Sequence, residues 1–98
     1  MFSVLIATSA LREFHTLPEN MQKRLTEVFQ TLRAYPSTHH LRIAKLESPS
    51  SPTYRIRIGD YRILFEIDGV KREIFITKIE GKIEREFSKT TGLNSLKI

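Results

Sequence analysis

Arg55, Arg57 and Arg62 are the residues of this chain whose type and spacing best suit chemistry on an anion. They lie in Tyr54-Arg-Ile-Arg-Ile-Gly-Asp-Tyr-Arg-Ile-Leu-Phe-Glu-Ile67, two alternating runs around Gly59-Asp60. That pattern predicts a two-residue hairpin with glycine first, as a type II′ turn requires. The loop length then sets the register: Ile58 opposite Tyr61, Arg57 opposite Arg62, Ile56 opposite Ile63, Tyr54 opposite Phe65. A period of two puts the apolar members on one face and the three arginines on the other. Arg57 against Arg62 is a like-charge pair, which costs stability unless something negative sits between them. Guanidinium groups suit bidentate phosphate contact, and RNA is the obvious polyanion. A second reading stands beside this one. Alternating charge is also what the solvated face of an antiparallel sheet looks like, and Glu66 lies close on the same face.

Other chemistry is poorly supplied. There are no cysteines, which excludes disulfides, thiolate catalysis and cysteine zinc sites. His39-His40 reads as a solvated loop pair, and no metal site is expected. No glycine-rich phosphate loop, nucleophile elbow or zincin motif is present, and no cofactor is expected. The net charge of +5 and pI near 9.8 suit a nucleic-acid or acidic-protein partner without requiring one.

The elements that must position the arginines follow from spacing. Residues 2–8 read as a first strand, with both faces partly covered. Ser9 caps a short helix to about residue 16. Pro18-Glu19-Asn20 opens a helix over 19–34, whose apolar stripe is Met21, Leu25, Val28, Phe29 and Leu32. Pro36 prevents its continuation. Residues 36–41 and 48–52 are loops flanking a short extended piece around Ile43 to Leu46. After the hairpin, Asp68-Gly69 begins a turn of two or four residues. A last strand spans 72–80, with Ile74 and Ile76 on one face and Phe75 and Thr77 on the other. Gly81 ends it. The expected fold is α+β: two N-terminal helices on one face of a small, mainly antiparallel four-stranded sheet. The 98 residues make one domain, with 88–98 a frayed tail. The N-terminus lacks the regions of a signal peptide and no apolar run is long enough to span a bilayer, so the cytoplasm is the expected compartment.

The hairpin segment 54–67 closely resembles the central signature of the RelE/ParE toxin superfamily. The preceding Ala44-Lys45-Leu46-Glu47 resembles the family's lysine-leucine segment, and the likeness covers about residues 2–80. It implies a β-α-α-β-β-β toxin bound by a cognate antitoxin. RelE-type members enter the ribosome and cut messenger RNA by attack of a ribose 2′-hydroxyl on the adjacent phosphate. That reaction needs proton transfer and cations for the charge developing on phosphorus. The resemblance carries the hairpin's basic positions onto Arg55, Arg57 and Arg62. Lys82 or Arg85 stands for the basic residue after the last strand. Phe87 stands where the pattern has tyrosine, so the hydroxyl is missing. Arginine stays protonated, so these positions match electrostatic stabilisation better than proton transfer. The alternatives are a ParE-like inhibitor of DNA gyrase that cuts nothing, and an inactive homologue that only binds an antitoxin.

Overall fold

In a computed structural model, which describes residues 1–38, 40–46 and 52–81, seven elements follow one another. They are β1 (Ser3–Ile6), α1 (Thr8–His15), α2 (Glu19–Leu32), β2 (Ile43–Leu46), β3 (Thr53–Ile58), β4 (Tyr61–Asp68) and β5 (Glu73–Gly81). The strands form one sheet in the order β1-β5-β4-β3-β2. β1 runs parallel to β5, and the other neighbours are antiparallel. The α+β class is as the sequence implies, but the sheet has five strands rather than four. The fifth is the short piece after the helices. Ile43 pairs with Ile56 and Leu46 with Thr53, so β2 satisfies backbone groups on the outer side of β3. Four residues carry too little pattern to announce a strand, and their partner supplies the pairing.

Element ends differ from the spacing by a residue or two. β1 is shorter than 2–8, and its faces are unequal: Ser3 and Leu5 are exposed while Val4 and Ile6 are half-buried. Ala7, not Ser9, occupies the N-cap of α1, and no side chain caps it. α2 stops at Leu32 rather than 34. The amides of Ala34 and Tyr35 then bond to the carbonyls of Thr31 and Leu32, each at 3.0 Å, closing a tighter turn before Pro36.

The helices pack on one face of the sheet. Leu25, Val28 and Leu32 of α2 and Ala10 of α1 are buried with Ile56, Ile63, Phe65, Ile74, Ile76 and Ile79. Met21 and Phe29 pack at the edge of this cluster, so the stripe read from spacing is the buried face of α2. The cross-strand rings of Tyr54 and Phe65 stack at 5.8 Å, adding aromatic contact to the ladder.

The hairpin has the register that its two-residue turn dictates: Ile58 with Tyr61, Arg57 with Arg62, Ile56 with Ile63, Tyr54 with Phe65. Positive φ falls on Gly59 (59°) and not on Asp60, as a type II′ turn demands. The next turn differs in detail. Asp68 pairs with Glu73, so Gly69 to Arg72 form a four-residue loop, one residue later than the expected four-residue option. Asp68 Oδ1 accepts from the amides of Val70 and Lys71, both at 3.0 Å, and Arg72 takes the positive φ of 57°.

β5 carries the feature that matters most for the site. Leu64 pairs with Lys78 and Phe65 with Ile76, leaving Thr77 as an extra residue in a β-bulge. The Thr77 hydroxyl donates to the Leu64 carbonyl at 3.2 Å. In an unbroken strand, Ile79 would share the outer face with Phe75, and Lys78 and Glu80 would point at the core. The bulge reverses this. Ile79 is buried, and Lys78 and Glu80 join the face opposite the helices.

Candidate anion-binding face

Three strands place the polar face in two adjacent rows. In the first, Arg57 of β3 stands beside Arg62 of β4, which stands beside Glu80 of β5. In the second, Arg55 stands beside Leu64, which stands beside Lys78. Neighbouring members of a row are about one strand spacing, roughly 4.8 Å, apart in backbone position. Of the four cations in these rows, Arg62 and Lys78 contact the carboxylate of Glu80. Arg57 is exposed at the margin, whereas Arg55 and Arg62 are half-buried.

Arg62 occupies the centre. Its Nη2 lies 3.5 Å from Glu80 Oε1, while Glu80 Oε2 lies 3.3 Å from Lys78 Nζ. The Arg62 and Glu80 side chains are 21% and 18% exposed, and Lys78 is far more open at 61%. The Arg62–Glu80 contact is an ion pair without a well-aligned hydrogen bond. Arg62 Nε and Nη2 are both buried and neither has a hydrogen-bond partner. A buried donor left unmatched costs free energy. A guanidinium edge holding two such donors, next to a second arginine, suits a bidentate oxyanion.

The three hairpin arginines therefore share one face, as their spacing predicts. Lys82, Arg85 and Phe87 lie outside the described residues. The acid that reaches Arg62 is Glu80, not Glu66, which pairs across the ladder with Phe75. Reading β5 as an unbroken strand hides Glu80. The available signal is the three-residue step from Ile76 to Ile79 in an otherwise alternating run, which is how a bulge looks in a sequence. Beyond Glu66, Phe75 and Leu5 face each other across β5 and β1 and are 40% and 45% exposed, placing an apolar step on the same side of the sheet as the cations. Among the described residues no group of three or more metal-ligating side chains is found, and no helix is long and apolar enough to cross a membrane.

The hairpin, its flanking strands and the paired helices can be compared with known proteins. Residues 4–82 match the family described as the ParE toxin of the type II toxin–antitoxin system parDE. Over 81 residues the chain is 31% identical to the RelE1 protein of Methanocaldococcus jannaschii, covering 83% of this chain and 90% of that one. Its fold is similar to RelE in the RelE–RelB complex of Pyrococcus horikoshii, with a TM-score of 0.73, 25% identity, and 83% and 94% of the two chains covered. It is also similar to isolated Escherichia coli RelE, with a TM-score of 0.65 and 17% identity over 92% and 98% of the chains, a likeness of fold. Sequence match, element order and the arginine-bearing hairpin converge: the chain belongs to the RelE/ParE superfamily of toxins of type II toxin–antitoxin systems.

Proposed function

We propose that this toxin is a ribosome-dependent endoribonuclease that cuts messenger RNA in the cytoplasm and is held inactive by a cognate antitoxin. The observation that carries the reading is Arg62. Two of its donors are buried and unmatched, and it stands beside the more exposed Arg57 in the same row. Guanidinium donors brought onto a phosphate stabilise the charge that develops on it. Arg55, Arg57 and Arg62 are assigned to bind the RNA backbone and stabilise the transition state, with Lys82 or Arg85 as a further cation. Phe75, exposed two residues before the bulge, offers a ring on which a base can stack. The antitoxin is inferred from the relatives, one of which is described as a RelE–RelB complex. An acidic partner segment would be steered toward the cationic rows.

A second reading has its own support. The matching family is described by ParE and parDE, and Phe87 offers no hydroxyl where the RelE pattern has tyrosine. On that reading the chain binds DNA gyrase and cuts nothing. One experiment separates the two. Purified toxin is added in parallel to ribosomes programmed with a defined message and to a gyrase supercoiling reaction. Cleavage of the message with supercoiling intact supports the endoribonuclease. An intact message with gyrase inhibited replaces it with the second reading.

A further inference from the structure

The cationic rows explain how a phosphate is held but leave the proton of the attacking hydroxyl without an acceptor. Arg55, Arg57 and Arg62 stay protonated. Phe87 has no exchangeable proton. A carboxylate is the simplest group that can take that proton. On this face, Asp68 is engaged with the amides of its own turn, and Glu66 lies beside Phe75, outside the two cationic rows. Glu80 is different. It shares a row with Arg57 and Arg62, and its Oε1 lies 3.5 Å from the Arg62 guanidinium.

We infer that Glu80 is the general base of the cleavage reaction, placed by the Thr77 bulge beside the phosphate that Arg57 and Arg62 hold. The inference rests on the endoribonuclease reading. Arg62 Nε and Nη2 are buried and lack partners, so a phosphate drawn to Arg57 meets them as the Arg62 side chain turns outward. Glu80 then stands about one strand spacing away, within reach of the ribose oxygen next to that phosphate. Lys78, 3.3 Å from Oε2, keeps the carboxylate on the face while leaving it partly open to solvent. Among the described residues, the charged groups near Glu80 include Arg62 from β4, Arg57 beyond it on β3, and Lys78 on its own strand. Arg12 and Glu13 of α1 line a hollow with Thr77 and Lys78.

The step balances. Glu80 takes the proton of the 2′-hydroxyl as the 2′-oxygen forms its bond to phosphorus. The bond from phosphorus to the 5′-oxygen breaks with its electron pair on oxygen. Solvent water protonates that oxygen, and Glu80 returns its proton to solvent. The products are a 2′,3′-cyclic phosphate and a 5′-hydroxyl, with no net consumption of water and no redox change.

The test is single-turnover cleavage on programmed ribosomes by the full chain, its Glu80→Gln variant and its Glu80→Asp variant, across a range of pH. In the wild type, the rate should fall in acid and level off above, as general-base catalysis requires. Glu80→Gln should cut about 100-fold more slowly or worse, with the acid limb gone. Its binding to message should be unchanged or tighter, because a negative charge beside the cations has been removed. Glu80→Asp should recover part of the rate. Thermal melts establish that each variant is folded. If Glu80→Gln fails to fold, the acid limb of the wild type and the partial rate of Glu80→Asp decide. Equal rates and equal pH profiles in Glu80→Gln and wild type would overturn the inference and leave Glu80 as a counter-ion of Arg62. A wild-type chain that leaves the message intact defeats the endoribonuclease reading itself, and this inference with it.

Discussion

Arg62 and Glu80 face each other from adjacent strands, with Nη2 3.5 Å from Oε1, and the contact leaves two Arg62 donors unmatched. The pair offsets part of the repulsion between Arg62 and Arg57 without saturating the guanidinium. A fold that only needed to neutralise this charge would do better with a straight bidentate bridge. The misalignment leaves donors that an oxyanion can take up once the side chain turns outward.

Removing Arg62 separates fold from function. Arg62→Ala should lower cleavage of message on the ribosome by about 100- to 1000-fold, the usual cost of one fixed donor to developing charge. Stability should change by no more than about 1 kcal/mol, because a lost ion pair is offset by relief of the like-charge pair with Arg57. Arg62→Lys should restore part of the rate, since lysine keeps the charge but not the fork. Single-turnover kinetics beside a thermal melt read both quantities. Full activity in a folded Arg62→Ala protein would make the arginines a solvated face.

Much of this arrangement is legible in the residues. Gly59-Asp60 and the alternation around it determine the hairpin register, because a two-residue turn admits one pairing and a slip would turn every isoleucine to solvent. Met21 to Leu32 likewise reveals its buried face through helical spacing. What the sequence conceals is non-local. β2 is a strand only because β3 has an edge to offer. Glu80 reaches the arginines only because Thr77 is left unpaired, and a strict period of two turns it toward the core. Both depend on a partner strand, which no local pattern contains.

The bulge makes a prediction of its own. Thr77→Val removes the hydroxyl that donates to the Leu64 carbonyl at 3.2 Å. Stability should fall by about 0.5–1.5 kcal/mol. Activity should fall further than that loss accounts for, because Glu80 and Lys78 take their orientation from this irregularity. Denaturant titration and ribosome cleavage on the same preparation compare the two effects. Unchanged activity alongside the lost stability would detach the bulge from the site.

Gly59 is needed for its backbone. An added Cβ there would have room, with Arg24 Nη1 at 3.5 Å and Met21 Cε at 3.8 Å, so crowding is ordinary. The φ of +59° is the difficulty. Gly59→Ala should destabilise the protein by about 1–2 kcal/mol through backbone strain. Chemical denaturation reads it directly, and a neutral result would mean that the turn can change type.

Phe75 tests whether the apolar step beside the cations belongs to the RNA surface. Phe75→Ala should weaken binding to single-stranded RNA by about 1–3 kcal/mol, the range for one stacked base. The fold should tolerate the change, because the ring is 40% exposed. Fluorescence anisotropy with a short labelled RNA gives the affinity. No loss of affinity would restrict contact to the arginine rows.

On the proposed function, this toxin cuts messages while they are translated, using the Arg57–Arg62 face. The most direct measurement maps messenger RNA 5′ ends in cells after induction of the wild type and of Arg62→Ala. Discrete new ends should arise inside translated reading frames with the wild type, be suppressed when translation is blocked and be absent with Arg62→Ala. Growth arrest with every message intact, or the same ends from a folded Arg62→Ala protein, would contradict it.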